Sequence, residues 1–329
     1  MARPTPTPDP AREGLAFSSL DSPLFADTDA TKGDLVDHLD ACADRILPEL
    51  AGRPLSVIRV HRGSDGFMQK NVPKHAPDFV RTVAMWAETS HREVHYALCD
   101  DRRTLLWFAN QRAVEYHPTL VRADDPGHPT HLVLDLDPPE GAGFAAAVAA
   151  ARLVRAVLDD LGLGCVVKSS GAKGVHVFVP VRGVANDEAG AATRAIAARA
   201  EALDPAVATT EFLKEDRGGK VFVDATRVGG ATVVAAWSPR VRPGCPVSFP
   251  LRWEDLDGFD PRDVTVRNAR DRAGDAGPWL ADLPAAPELP EALLEEGRAI
   301  APGRVRAMHE GKRRKAARAG SADTDPDPG

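Results

Sequence analysis

The stretch His131-Leu-Val-Leu-Asp-Leu-Asp-Pro138 reads as an apolar strand that ends in two carboxylates. Side chains alternate across a strand, so Asp135 and Asp137 point to one face and Leu134 and Leu136 to the other. Pro138-Pro139 stops the strand directly behind them. Two carboxylates this close repel each other unless a proton or a cation lies between them. Hard divalent ions such as Mg2+ and Mn2+ favour such oxygen donors. A second apolar run, Val221-Phe-Val-Asp224, ends in a third carboxylate that can complete the group. Aspartates also end strands because they favour turns, and that reading stays open for Asp224 taken alone.

Downstream of the pair lies Lys168-Ser-Ser-Gly-Ala-Lys-Gly-Val-His-Val-Phe-Val-Pro180. Small residues let backbone N–H groups approach an anion, as phosphate-binding loops do. Lys173 adds a positive charge at the turn, and His176 projects to the face opposite Val175 and Val177. Ser170, Lys173 and His176 therefore read as a cradle for a triphosphate. The bland alternative is a Ser-Gly hairpin with a solvated lysine; its place between the carboxylate pair and Asp224 favours the cradle. The Gly-Lys-Ser/Thr ending of a Walker loop is absent. Arg217, Lys220 and Arg227 flank Asp224, and Arg240 follows, as expected where polyphosphate charge must be neutralised. Arg242 reads as an ordinary surface arginine.

The whole chain has 329 residues, 43% of them hydrophobic and 27% charged, which is enough to bury a large core. Its 41 basic and 48 acidic residues give a net charge of −7, which by itself argues mildly against nucleic acid. Many of the aspartates fall in turns, in the last residues and at the proposed metal site, so the net charge does not decide. Cys42, Cys99, Cys165 and Cys245 form no Cys-x-x-Cys pair, which points away from a zinc site or disulfide framework. No apolar run approaches the roughly 20 residues of a membrane span, and the first residues lack a signal-peptide core. No membrane partner and a cytoplasmic, nucleoid-associated location are expected.

The order of elements is that of an α+β protein. Residues 1–14 read as a flexible lead and 301–329 as a disordered charged tail, with one domain over 15–300. Thr31 is placed to cap a helix carrying Leu35, Leu39, Cys42 and Ile46. Strands are expected at Leu55–Val60, Glu93–Leu98, Leu105–Trp107, His131–Asp137, Cys165–Lys168, Val175–Val179, Lys220–Asp224 and Thr232–Ala236. Helices are expected around Phe108–Val114, over Phe144–Leu161 and Glu188–Leu203, and starting at Trp253. A Gly-containing loop, His61–Lys70, carries Phe67 and Met68.

The residues Asp-Leu-Asp-Pro at 135–138, Ser-Gly-Ala-Lys-Gly-Val-His at 170–176 and Val-Phe-Val-Asp at 221–224 together resemble the polymerase domain of bacterial ligase D. That domain belongs to the archaeo-eukaryotic primase superfamily. The likeness runs from about residue 30 to 300 and includes Phe67-Met-Gln-Lys70, Asn110-Gln-Arg112, Glu115-Tyr-His-Pro118 and Pro246-Val-Ser-Phe-Pro-Leu-Arg-Trp253. It implies a primase-like core of two mixed β-sheets flanked by helices. It also implies an end-joining polymerase and primase that adds nucleotides, preferably ribonucleotides, to DNA ends and gaps. Such an enzyme would work with Ku and a separate ATP-dependent DNA ligase.

By the same resemblance Asp135, Asp137 and Asp224 would hold two Mn2+ or Mg2+ ions. Ser170, Lys173, His176, His117, Arg217, Arg227, Arg240 and, more loosely, Arg59 would contact the nucleotide. Phe67, Met68 and Lys70 fall on the DNA or template side. Met68 stands where a second phenylalanine is usual, which weakens base stacking there. Ser19 and Ser22 replace two residues of the family's 5′-phosphate pocket, and Lys32 alone remains. No ligase or nuclease segment is recognisable, so a stand-alone polymerase domain is expected. Two other readings stay open: a phosphatase of the haloacid dehalogenase type, whose Asp-x-Asp also ends a strand, and a non-catalytic DNA-end or Ku-binding accessory domain.

Overall fold

The computed structural model describes residues 7–61, 66–87, 91–274, 279 and 283–303. It opens with a small hairpin, β1 (Pro8–Asp9) and β2 (Leu15–Ala16). Arg12, between the two strands, pairs with Asp37 at 2.5 Å and Asp40 at 3.3 Å. Residues 7–14 are thus bound to the domain instead of forming part of a flexible lead; residues 1–6 and the basic tail from Arg304 lie outside the described residues. Thr31 caps α1 (Lys32–Ala41) through a capping box with Asp34. The single helix expected here is interrupted at Cys42, which leaves helical geometry before α2 (Ala43–Leu50). The stripe Leu35, Leu39, Cys42 and Ile46 is fully buried across both pieces.

The first sheet contains β3 (Pro54–Arg59), β4 (Phe67–Gln69), β5 (Thr82–Ala87) and β6 (Arg92–Leu98) in the order β4-β3-β6-β5. Helix α3 (Arg102–Asn110) leads into β7 (Ala113–Pro118), which pairs with β3. Every pairing in this sheet is antiparallel. Two expectations fail here. Leu105–Trp107 is helical, because Asp101 caps the segment and a short apolar run carries no period that separates helix from strand. Val114, expected at the end of that helix, lies in β7.

A short hairpin, β8 (Val121–Arg122) and β9 (Asp125–Pro129), leads to the second sheet. Its elements are β10 (His131–Asp137), α4 (Phe144–Asp160), β11 (Val166–Ser169), β12 (Val175–Pro180), α5 (Asn186–Leu203), β13 (Ala208–Thr209), β14 (Val221–Asp224) and β15 (Pro250–Leu251). The strand order is β13-β14-β10-β12-β11-β15, with only β13 and β14 parallel. The expected strand at Thr232–Ala236 forms no ladder. It runs beside β7 through Val233 N–H to Pro118 and Ala235 N–H to Tyr116. Trp253–Asp255 is a single 3-10 turn. Helices α6 (Ala269–Ala273) and α7 (Glu291–Ala299) close the described chain.

Alternation divides β10 between two cores. Leu132, Leu134 and Leu136 join Val175, Val177 and Val179 beneath α4 and α5. Val133 and Phe178, on the other face, join the core shared with α1, α2, α3 and the first sheet. Asp135 and Asp137 have the parity of Val133, so the carboxylates lie on the side of that second core. Among the described residues no helix is long and apolar enough to cross a membrane.

Candidate active site

Strand register builds the site. Asp135 on β10 lies opposite Asp224 on β14 and, on its other side, opposite His176 on β12. His176 in turn lies opposite Lys168 on β11. Directly paired residues share a face, so Asp224, Asp135, His176 and Lys168 form one polar row across four strands. Asp137 lies two residues further along the same face of β10. Asp135 is 8% exposed, Asp224 5%, His176 4% and Lys168 fully buried.

Arg227 reaches into this row. Its Nε lies 3.3 Å from Asp135 Oδ2 and 3.3 Å from Asp224 Oδ2. His176 Nε2 lies 3.2 Å from Asp135 Oδ1. Burial opposes ionisation of Asp135, but His176, Arg227 and Lys168 outweigh it and hold the carboxyl well below the usual range. Asp137 is the reverse case: burial, then the charges of Asp135 and Asp224, push it up to about 6. The cluster thus carries more negative charge than its present partners neutralise, and hard oxygen donors with that excess fit divalent ions. As positioned, no three His, Cys, Asp or Glu side chains among the described residues converge closely enough to hold an ion. Arg227 occupies the space between two of the three carboxylates.

The expected nucleotide cradle packs against this row. Ser170 Oγ accepts from Gly174 N–H at 3.1 Å and Ala172 N–H at 3.3 Å, which closes the turn. Gly171 has φ +68°, and a Cβ there would come within 2.7 Å of Arg240 and of the Ser248 backbone. Arg240 donates to the Ser170 carbonyl and lies 3.0 Å from Glu115 Oε2. Glu115 also accepts from His117 Nε2 at 2.8 Å and from Val241 N–H at 2.9 Å. Burial opposes its ionisation, yet His117 and Arg240 bring it down to about 2. Burial lowers His117 below its ordinary value. One buried carboxylate therefore orients two expected nucleotide ligands.

The other expected residues are less uniform in placement. Lys173 is exposed, and its ammonium donates to Pro139 O at 3.0 Å. Arg217 stacks 3.9 Å over Phe222 and donates to Glu211 O and Phe212 O. His176 has both ring nitrogens engaged inside the protein, with Lys168 Nζ 2.9 Å from Nδ1. Arg59 is bound to Gln69 and Gln111 on the first sheet and lies 5.9 Å from the Phe67 ring. Phe67 is 39% and Met68 46% exposed on β4, with Lys70 just beyond. Lys32 is buried, donating to Ser18 O at 2.7 Å and Asn110 Oδ1 at 2.6 Å. Burial, then Arg112, lowers it to about 8. Two of its three N–H donors are thus taken, and Ser22 is held by Ser19 O and Arg112.

Glu115, Lys168 and Ser248 were not among the expected ligands. Glu115 carried a usable signal, since it shares the face of His117 on a strand. Lys168 carried one too, because a tight turn at 169–174 brings it opposite His176.

The LigD primase-polymerase domain profile matches residues 31–279. The bifunctional non-homologous end joining protein LigD of Bacillus subtilis is 33% identical over 269 residues, covering 80% of this chain and 43% of its own length. The multifunctional non-homologous end joining protein LigD of Mycobacterium bovis is 34% identical over 301 residues, covering 85% and 39%. The chain thus spans about two fifths of the length of these curated relatives. Among solved structures, the polymerase domain from Mycobacterium tuberculosis ligase D in complex with DNA aligns with a TM-score of 0.74 at 31% identity, covering 82% of this chain and 99% of that one. With the profile spanning most of the described core, this chain belongs to the LigD primase-polymerase domain family.

Proposed function

We propose that the chain is a metal-dependent nucleotidyltransferase, a polymerase and primase that extends DNA 3′ ends, with ribonucleotides preferred, during non-homologous end joining. The observation that supports this best is the register of Asp224, Asp135 and His176 across three strands, with Asp137 on the same face beside the Ser170 turn. Asp135, Asp137 and Asp224 are the residues that would hold two Mn2+ or Mg2+ ions once Arg227 withdraws. Bound there, such ions would lower the pKa of the primer 3′-hydroxyl and neutralise charge on the leaving pyrophosphate.

The chain's own residues supply the rest. Ser170 fixes the turn by accepting from the Ala172 and Gly174 N–H groups, and Lys173 swings from Pro139 O to meet the triphosphate. Glu115 holds His117 and Arg240 in preset directions, so little reorganisation is needed when phosphate charge arrives. Arg217, braced on Phe222, adds a fixed positive charge, and Arg227 can follow the phosphates when it leaves the carboxylates. Phe67 and Met68 offer an exposed apolar edge for an unpaired template base. With Lys32 buried and bound to Ser18 O and Asn110, strong dependence on a 5′-phosphate is not expected. DNA ends and gaps are the substrates, with Ku and a separate ATP-dependent ligase as working partners in the cytoplasm. Family membership removes the phosphatase reading; a non-catalytic accessory role is the outcome to exclude.

Primer extension on gapped and 3′-overhang DNA, with each NTP and dNTP in Mg2+ or Mn2+, tests the proposal. Incorporation by the wild type, higher with NTPs and lost in Asp137→Ala, is expected. No incorporation under any condition would refute it.

A further inference from the structure

Lys168 is fully buried, yet its ammonium is bound by neutral groups: His176 Nδ1 at 2.9 Å and Ser248 Oγ at 2.7 Å. The Phe178 ring lies 5.7 Å away. Burying an ammonium in such surroundings is unfavourable, and an apolar side chain of the same length would fill the space with less penalty. The position therefore needs a donor.

The direction of the bonds shows what the donor does. The Asp135 carboxylate can only accept, so His176 Nε2 carries the ring proton and Nδ1 of the neutral ring accepts from Lys168. Nε2 then donates to Asp135 Oδ1, 3.2 Å away. At the far end Ser248 Oγ donates to Ser169 O at 2.9 Å, and Ser248 N–H to Ser238 O at 2.8 Å. Both arms run outward from the ammonium, one through Ser248 to the Ser169 carbonyl and the other through His176 to Asp135. The second arm occupies Oδ1 and leaves Oδ2, now facing Arg227, as the oxygen open to a cation.

We propose that Lys168 is a positioning residue which, through His176, sets the orientation of Asp135 as a metal ligand. This rests on the reading of Asp135 as a metal-binding carboxylate, not on the reaction assigned to the site. Outer partners of a ligand side chain typically change metal affinity about 10- to 100-fold when removed.

The test is a double-mutant cycle with Lys168→Met and His176→Gln, reading Mn2+ binding by electron paramagnetic resonance without nucleotide or DNA. Lys168→Met is expected to fold at least as stably as wild type and bind Mn2+ about tenfold more weakly. The double variant should bind no more weakly than His176→Gln alone, because both act along one path. Nitrogen-15 spectra of the wild type should show the His176 proton on Nε2. Unchanged Mn2+ affinity in Lys168→Met, losses that multiply, a proton on Nδ1, or no Mn2+ binding by wild type would each overturn the proposal. Should Lys168→Met not fold, Ser248→Ala keeps the lysine, frees its far end and should give a smaller loss in the same direction. Since no step reads polymerisation, failure of primer extension would refute the proposed function separately.

Discussion

Replacing Arg227 by glutamine should make the protein bind Mn2+ more tightly. The guanidinium contacts Asp135 Oδ2 and Asp224 Oδ2 at 3.3 Å each, in the space a cation must enter. A buried hydrogen bond to a charged group contributes about 1.5–3 kcal/mol. Here only the contact to Asp135 is a hydrogen bond, and the one to Asp224 is an ion pair from the same nitrogen. Both are long and the side chain is 37% exposed, so solvent screening reduces them. Together they amount to roughly 1–2 kcal/mol, and every 1.4 kcal/mol is a factor of ten. Arg227→Gln should therefore bind Mn2+ about 5- to 30-fold more tightly in a titration without nucleotide. The metal-free variant should also melt at lower temperature, because Asp135 and Asp224 lose a counter-charge. Unchanged or weaker Mn2+ binding would mean that Arg227 organises the carboxylates for the ion instead of competing with it, and would refute the prediction.

Asp137 gives a pH prediction with a definite sign. Its carboxyl is raised to about 6 from an ordinary value near 4, so its stabilising contribution is present below pH 4 and lost as pH rises through 6. The metal-free protein should show that loss between pH 4 and 7 relative to Asp137→Asn, and Mn2+ should raise the melting temperature more at pH 7.5 than at pH 5; an equal rise at both would contradict it. Glu115→Gln removes the charge that holds His117 and Arg240. Urea unfolding should show a loss of about 1–3 kcal/mol, accompanied by a several-fold rise in nucleotide KM; an unchanged KM would mean the pair does not serve the nucleotide. Met68→Phe, beside exposed Phe67, should tighten overhang DNA by about 1 kcal/mol through stacking. Fluorescence anisotropy at fixed salt would show it, and no change would place the template elsewhere.

Much of the site was legible because strand alternation is a rigid rule. Asp135 and Asp137 share a face in any strand, and the paired strands β10, β12 and β14 only had to supply the register that brought His176 and Asp224 beside them. What the pattern left hidden was mostly long-range, with one local exception. Leu105–Trp107 looked like a strand because three apolar residues have no period, and the Asp101 cap that makes them helical is a local bond. Thr232–Ala236 has β-forming residues, but it runs beside β7 with only an isolated bridge at Thr232 and two N–H bonds, too few to extend a ladder. Lys32 matches a phosphate-binding position, and its bond to Asn110, 78 residues away, could not be read from the sequence. The insertion of Arg227 between two carboxylates depends on how the chain turns after β14, and no spacing in the sequence states it.

Asp135, Asp137 and Asp224 are proposed to form the catalytic metal site of a DNA-extending enzyme. The most direct measurement reads extension of an overhang primer, Mn2+ binding and DNA binding in the same samples of wild type, Asp135→Asn and Asp224→Asn. Both variants should lose extension by at least about a hundredfold, roughly 3 kcal/mol in the barrier, and bind Mn2+ weakly while holding DNA as the wild type does. Variants that still extend the primer, or a wild type that binds DNA and Mn2+ but never extends it, would contradict that assignment.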